Sequence, residues 1–173
     1  MQIFLIGFMG AGKSSLGKKI ASRLSVNFID ADRAIEKEQN RSVQQIFSEE
    51  GEEKFRAIET DWLKNLKEGN DVIALGGGTP CFNNNLSLIQ QKGISIYIKT
   101  PVPVIVSRLK QAKEVRPIIE HVKKDHEALT ALVADMLAQR ESFYNQANII
   151  FDGADVTSQS LDELERQIGS YLL

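Results

Sequence analysis

The sequence predicts an α/β domain built around a parallel sheet. Short runs rich in Ile and Val alternate with amphipathic helical stretches, and no repeat, low-complexity segment or linker divides the 173 residues. That length suits a single compact domain with a real core.

The elements follow in order. Gln2–Ile6 reads as a buried strand, and Ser15–Leu24 as a helix with Leu16, Ile20 and Leu24 on one face. Val26–Ile29 is a second strand, followed by a short helix from about Arg33. Ser42–Phe47 and Glu52–Leu66 read as helices, the latter with Phe55, Ile58, Trp62 and Leu66 at helical spacing. Strands at Val72–Leu75 and Ile94–Ile98, a helix at Val102–Leu109 and a polar stretch near Gln111–Glu120 come next. Asp125–Gln146 is a long helix and Asn148–Phe151 a fifth strand. Leu161–Leu172 closes the chain, with Ser160 and Glu163 spaced as a capping box. In such a sheet ligands sit at the carboxyl ends of the strands, so the residues just after each strand are the ones to read.

Composition narrows the function classes. The formal net charge is −2, without the basic excess of a non-specific nucleic-acid or anionic-membrane binder. Cys81 is the only cysteine, which excludes an intramolecular disulfide. The apolar run Gln2–Met9 lacks a preceding basic segment and is interrupted by Gly10-Ala11-Gly12-Lys13, unlike a signal peptide. No stretch approaches the roughly 20 apolar residues that cross a bilayer. A cytoplasmic protein is expected.

Gly7-Phe8-Met9-Gly10-Ala11-Gly12-Lys13-Ser14 matches G-x-x-x-x-G-K-[ST] between a predicted strand and a predicted helix. Glycines there let backbone N–H groups turn inward onto phosphate oxygens, and the following helix points its positive end at the same anion. Lys13 would reach the β- and γ-phosphates and Ser14 a Mg²⁺ ion. A chance glycine-rich turn is the competing reading, and the strand–loop–helix context weighs against it. ATP and Mg²⁺ are the expected cofactors.

Asp30 and Asp32 stand just beyond the second strand, where one carboxylate could hold the waters around Mg²⁺ and the other orient or deprotonate an attacking hydroxyl. Helix capping would account for one of them, not both. Gly76-Gly77-Gly78 follows the third strand, and a run of three glycines suggests backbone passing close to a ligand rather than a plain turn.

Three arginines carry two readings each. Arg140 falls on the apolar stripe of the long helix, as a bidentate clamp on a substrate anion, or as an internal ion pair or a snorkelling stem. Arg56 and Glu59 are either a surface salt bridge or a ligand-facing arginine held by its neighbour. Arg116 lies in the polar stretch, either on a closing lid that meets charge on a transferred phosphoryl group or as a solvated loop residue. Glu49–Glu53 reads as a solvated helix junction, Trp62 as core, and His121 and His126 lack metal-ligand spacing.

Taken together these residues resemble the shikimate kinase family over nearly the whole chain. The resemblance rests on Gly7–Ser15, Phe28–Asp32, Ile46-Phe47 with Gly51-Glu52…Phe55-Arg56…Glu59, Leu75–Gly78, Arg116-Pro117, and Arg140 followed by Tyr144. It implies a three-layer, adenylate-kinase-like fold with strand order 2-3-1-4-5, substrate-binding helices over about 31–66 and a lid over about 110–124. It also implies transfer of the ATP γ-phosphate to the 3-hydroxyl of shikimate by a monomer. Asp32, Arg56, Gly76, Gly77, Gly78 and Arg140 would then contact shikimate, and Lys13 and Arg116 the phosphoryl group. Gly10, Ala11, Gly12, Lys13, Ser14, Ser15 and Arg108 would hold the nucleotide, Arg108 on the adenine. Ser14 would bind the metal directly and Asp30 through water. The rivals are a kinase of another hydroxy acid such as gluconate or of a nucleotide, and a nucleotide-binding sensor without turnover.

Overall fold

The computed structural model describes residues 1–112 and 117–171. The first strand β1 (Gln2–Ile6) lies at the centre of a parallel sheet and leads into α1 (Lys13–Leu24). Next come β2 (Phe28–Asp30), α2 (Ala31–Gln39), α3 (Val43–Asn65) and β3 (Val72–Ala74). A 3₁₀ turn at Thr79–Cys81 precedes α4 (Asn85–Lys92), β4 (Gly93–Lys99) and α5 (Val102–Gln111). The chain continues through α6 (Pro117–Glu120), α7 (His126–Tyr144), β5 (Ile149–Asp152) and α8 (Ser158–Ser170).

The strand order is β2-β3-β1-β4-β5 and every pairing is parallel, as the resemblance implies. Residues alternate across β1, which explains the layers. Ile3 and Leu5 face a core that includes Leu16 and Ile20 of α1 and Leu164 and Ile168 of α8. Phe4 and Ile6 face the opposite core, with Ile35 of α2, Phe55 and Leu63 of α3, Ile89 of α4 and Tyr144 of α7. A third cluster joins Phe8 to Ile105, Val106 and Leu109 of α5 and Leu129 and Val133 of α7. Fully burying one such Leu, Ile or Phe is worth about 1.5–3 kcal/mol, so a strand buried on both faces is anchored firmly. Both ends of β1 are thereby fixed, and the loop that follows it starts from a rigid edge. No helix among the described residues is long and apolar enough to cross a membrane.

Several boundaries differ from the sequence pattern. The two helices expected at 42–66 meet at Gly51, whose φ of 83° and ψ of 174° break one continuous run rather than leaving a loop between them. The second strand starts at Phe28 instead of Val26 and extends through Asp30. The last helix is capped by Thr157, not Ser160. Thr157 Oγ1 accepts from the Ser160 N–H at 3.1 Å while Ser160 Oγ accepts from the Thr157 N–H at 3.0 Å. That reciprocal box starts the helix earlier than the Ser160–Glu163 pair does. The pattern gives no element between Gly78 and Ile94, where the 3₁₀ turn and α4 lie. Asn83 and Asn84 there adopt φ of 51° and 58°, which Asn tolerates and which interrupts any helical periodicity.

Candidate active site

The loop after β1 turns on Gly10 (φ 79°) and Gly12 (φ 103°), a left-handed region that residues with a Cβ rarely adopt. Gly12 is the N-cap of α1 and offers no side chain, so the first-turn N–H groups are left for an anion. Lys13 lies back over the loop, donating to the carbonyl oxygens of Gly7 at 2.8 Å and Phe8 at 3.0 Å. Ser14 Oγ donates to Asp30 Oδ2 at 2.8 Å, which ties the first turn of α1 to the end of β2.

Asp30 caps α2, accepting from the Arg33 N–H at 3.4 Å, in addition to its bond from Ser14. Capping therefore accounts for part of Asp30 and none of Asp32. Asp32 is half-buried, and burial, joined by the negative charges of Glu59 and Asp30 and opposed by Lys13, pushes its carboxyl up to about 6.

Arg56 and Glu59 are not a surface pair. They are 6% and 1% exposed, and Arg56 Nη1 donates to Glu59 Oε2 at 2.5 Å. Arg56 Nη2 and Nε both donate to Glu52 Oε1, at 2.9 and 3.2 Å. The guanidinium carbon also lies 4.5 Å from the Phe82 ring centroid, 5.4 Å from Phe55 and 5.8 Å from Phe47. A guanidinium has five N–H donors, of which these bonds engage three, so among the described residues two remain for a ligand. Glu52 thus corrects the reading of 49–53 as a plain solvated junction. Its neighbours Glu49 and Glu50 do fit that reading, since they pair with Arg41 at the surface.

The triple glycine is explained by close approach, but the first atoms it approaches are the protein's own. A Cβ on Gly78 would lie 2.6 Å from Arg56 Nη2, and one on Gly76 would lie 2.8 Å from Glu59 Oε1 and 3.0 Å from Asp32 Oδ1. One on Gly77 would sit 3.3 Å from the Met9 nitrogen, against the phosphate loop. Tyr144 Oη donates to the Gly77 carbonyl at 2.5 Å and fixes that strand end from α7. Arg140, one turn earlier on α7, has its guanidinium 5.7 Å from the Phe8 ring. Among the described residues no carboxylate pairs with it, so the internal ion pair is absent there.

These groups share one cavity of about 950 Å³. Gly10, Gly12, Lys13, Ser14 and Ser15 line it together with Asp30 and Asp32. Arg56, Glu59, Gly76, Gly77, Gly78 and Arg140 line it as well. Ala11, within the loop, is buried and does not line the cavity. Arg108 lies outside the lining and braces the loop from behind, donating to the Ala11 carbonyl at 2.9 Å and the Gly153 carbonyl at 3.0 Å. Arg116 lies outside the described residues. Sequence reasoning missed Phe47 and Phe55, whose rings pack 4.8 Å apart in the cavity wall, although the aromatic pair flanking a Gly-Glu junction was a visible signal. It also missed the bracing by Glu52, for which the i, i+4 spacing to Arg56 was available.

Residues 9–169 match the family model for shikimate kinase. A shikimate kinase of Parabacteroides distasonis is 39% identical over 160 residues, covering 92% of this chain and 91% of the relative. The crystal structure of shikimate kinase from Bacteroides thetaiotaomicron superposes with a TM-score of 0.87 at 34% identity, covering 99% of this chain and 98% of the other. Shikimate kinase from Acinetobacter baumannii, solved in complex with shikimate, gives 0.80 at 30% identity over 99% of this chain and 92% of the other. The sheet order, the phosphate loop at its carboxyl edge and this match along nearly the full length agree: the chain belongs to the shikimate kinase family, which are ATP-using kinases with an alcohol acceptor.

Proposed function

We propose that the protein transfers the γ-phosphoryl group of ATP to the 3-hydroxyl of shikimate. The observation that carries this is a single cavity lined together by an anion-binding helix start, two arginines and Asp32. Arg56 and Arg140 suit a carboxylate, and Asp32 suits the hydroxyl of a small polyol acid. A coupled ADP-release assay across shikimate, gluconate and nucleoside monophosphates tests it. Turnover is expected with shikimate alone; comparable turnover with gluconate would make this a sister enzyme, and none with any acceptor would make it a sensor.

In the reaction Asp32 takes the proton of the attacking hydroxyl as the new O–P bond forms and the bond between the γ-phosphorus and its bridging oxygen breaks. Lys13 leaves its two loop carbonyls to meet the β- and γ-oxygens, and ADP departs with the bridging oxygen. The resemblance assigns Arg116, on a lid over about 110–124, to the same phosphoryl oxygens, and Arg108 to the adenine side. The helices over about 31–66 carry Asp32 and Arg56. We infer a monomer working in the cytoplasm, which light scattering of the purified protein tests directly.

Ser14 Oγ and Asp30 Oδ2 are hard oxygen donors side by side. The described residues hold no group of three or more His, Cys, Asp or Glu that could bind a metal alone. That donor set fits Mg²⁺, which takes one or two protein oxygens and completes its shell with substrate phosphates and water. Mg²⁺ held there would neutralise charge on the β- and γ-phosphates. Asp30→Asn should raise the Mg²⁺ concentration for half-maximal rate several-fold. Asn caps a helix as well as Asp, so the fold should be kept. An unchanged Mg²⁺ titration would remove Asp30 from the metal site.

Gly78→Ala should act through Arg56. The guanidinium is fixed between Glu59, Glu52 and three rings, so the added methyl at 2.6 Å must displace it from its two remaining ligand positions. KM for shikimate is expected to rise at least about tenfold, roughly 1.4 kcal/mol, with KM for ATP unchanged. A normal shikimate KM would mean that Arg56 does not receive the carboxylate.

A further inference from the structure

Thr79 follows the triple glycine and is 3% exposed, yet it does not line the cavity. Its N–H closes a turn on the Gly76 carbonyl at 3.1 Å, and its hydroxyl donates to Glu59 Oε1 at 2.5 Å. The other oxygen of Glu59 holds Arg56. Behind Thr79, Asn85 is fully buried and donates from Nδ2 to the Thr79 carbonyl at 3.0 Å. Asn83 Nδ2 donates to the Arg56 carbonyl at 3.2 Å and to Thr60 Oγ1 at 3.0 Å. The turn at 79–85 therefore grips α3 twice at the same residue, by its backbone and, through Glu59, by its head group.

The division of the Glu59 oxygens matters. One sits on a hydroxyl and one on Arg56, so the carboxylate cannot present both to the guanidinium. Without the hydroxyl, Oε1 would be buried and unsatisfied. The nearest repair is side-on pairing of both oxygens with Arg56, the favoured bidentate geometry. That repair would consume an N–H that no described residue now holds.

We propose that Thr79 is a positioning residue for the substrate carboxylate, holding one oxygen of Glu59 so that Arg56 keeps two N–H groups for the ligand. This rests on the functional reading above, in which Arg56 receives that carboxylate. Thr79→Val keeps the shape and removes the donor; Thr79→Ser keeps the donor and removes the methyl. Thr79→Val should raise KM for shikimate about tenfold, leave KM for ATP unchanged and keep kcat within about twofold, while Thr79→Ser stays within about twofold of wild type throughout. The Val variant should also lose discrimination against an analogue with a neutral amide in place of the carboxylate. Should Thr79→Val not fold, Thr79→Cys against Thr79→Ser repeats the comparison, since the two differ little in size and the thiol is a weak donor. A normal shikimate KM in the Val variant would overturn the proposal. So would equal damage in Val and Ser, which would make the methyl packing the cause, or a loss in kcat alone, which would place the effect on Asp32. Wild-type enzyme inactive on shikimate but active on another acceptor would instead sink the functional reading on which this proposal stands.

Discussion

Asp32→Asn should lower turnover at least about 100-fold while making the free protein more stable. General-base catalysis by a placed carboxylate is worth about 10²–10⁴-fold, and the amide, of nearly the same shape, cannot accept the proton. Stability moves the other way. Burial and the nearby charges of Glu59 and Asp30 lift the Asp32 carboxyl from 3.8 to about 6. The folded protein thus binds a proton that the unfolded chain releases between those values, and stability falls as pH rises through that window. Above it the whole penalty stands, at about 1.4 kcal/mol per pH unit, or roughly 3 kcal/mol. Partial solvent contact trims it, and the charge at the start of α2 returns about 0.3–1 kcal/mol through the helix dipole. A net gain of about 2 kcal/mol remains for Asn, a rise in Tm of about 4–8 °C for a chain of this size. Calorimetry at pH 7.5 checks it, and the gain should vanish near pH 4. In wild type, kcat/KM for shikimate should fall below about pH 6 as the base becomes protonated. A low-pH limb near 4 would mean that Asp32 is not raised in the free enzyme. An Asn variant no more stable than wild type would mean that its charge is tolerated without cost.

The parts of this site legible in the sequence are those whose chemistry is local. Gly7–Ser14 needs only its own glycines, Lys13 and a helix behind it, and the structure builds it from the end of β1 directly into α1. The Asp30–Asp32 spacing was readable for the same reason, because both follow from where β2 stops. Arg56–Glu59 was visible as a spacing but not as a buried pair. Its burial depends on three rings and on Gly78, which come from α3 and from the segment after β3. Thr79 gave no signal at all: its role is defined by a residue on another element, and the turn that places it is built from asparagines in left-handed conformations. Helix boundaries failed where a cap competed with periodicity. Thr157 outcompeted Ser160 because its partner oxygen could bond back, something residue type alone does not rank.

Removing Arg56 should cost both stability and substrate affinity, and the two losses can be separated. Arg56→Met fills similar space but leaves Glu59, 1% exposed, with only the Thr79 hydroxyl and in repulsion with Asp32. Stranding one member of a buried pair costs about 3–5 kcal/mol. The bond to Glu52 adds little, because that carboxylate is half in water. Arg56→Met should therefore be less stable by about 3 kcal/mol in urea or thermal unfolding. Replacing the pair together, Arg56→Met with Glu59→Leu, removes the stranded charge and should recover most of the loss, since apolar residues often substitute for a buried ion pair at no net cost. Affinity should not recover. Both variants should show KM for shikimate raised at least about tenfold, roughly 1.4 kcal/mol, because neither carries the guanidinium that lines the cavity. A double variant as unstable as the single one would show that the packing of the arginine stem, not the unpaired carboxylate, sets the cost. A near-normal shikimate KM in either variant would leave Arg140 as the sole holder of the carboxylate and reduce Arg56 to a structural ion pair.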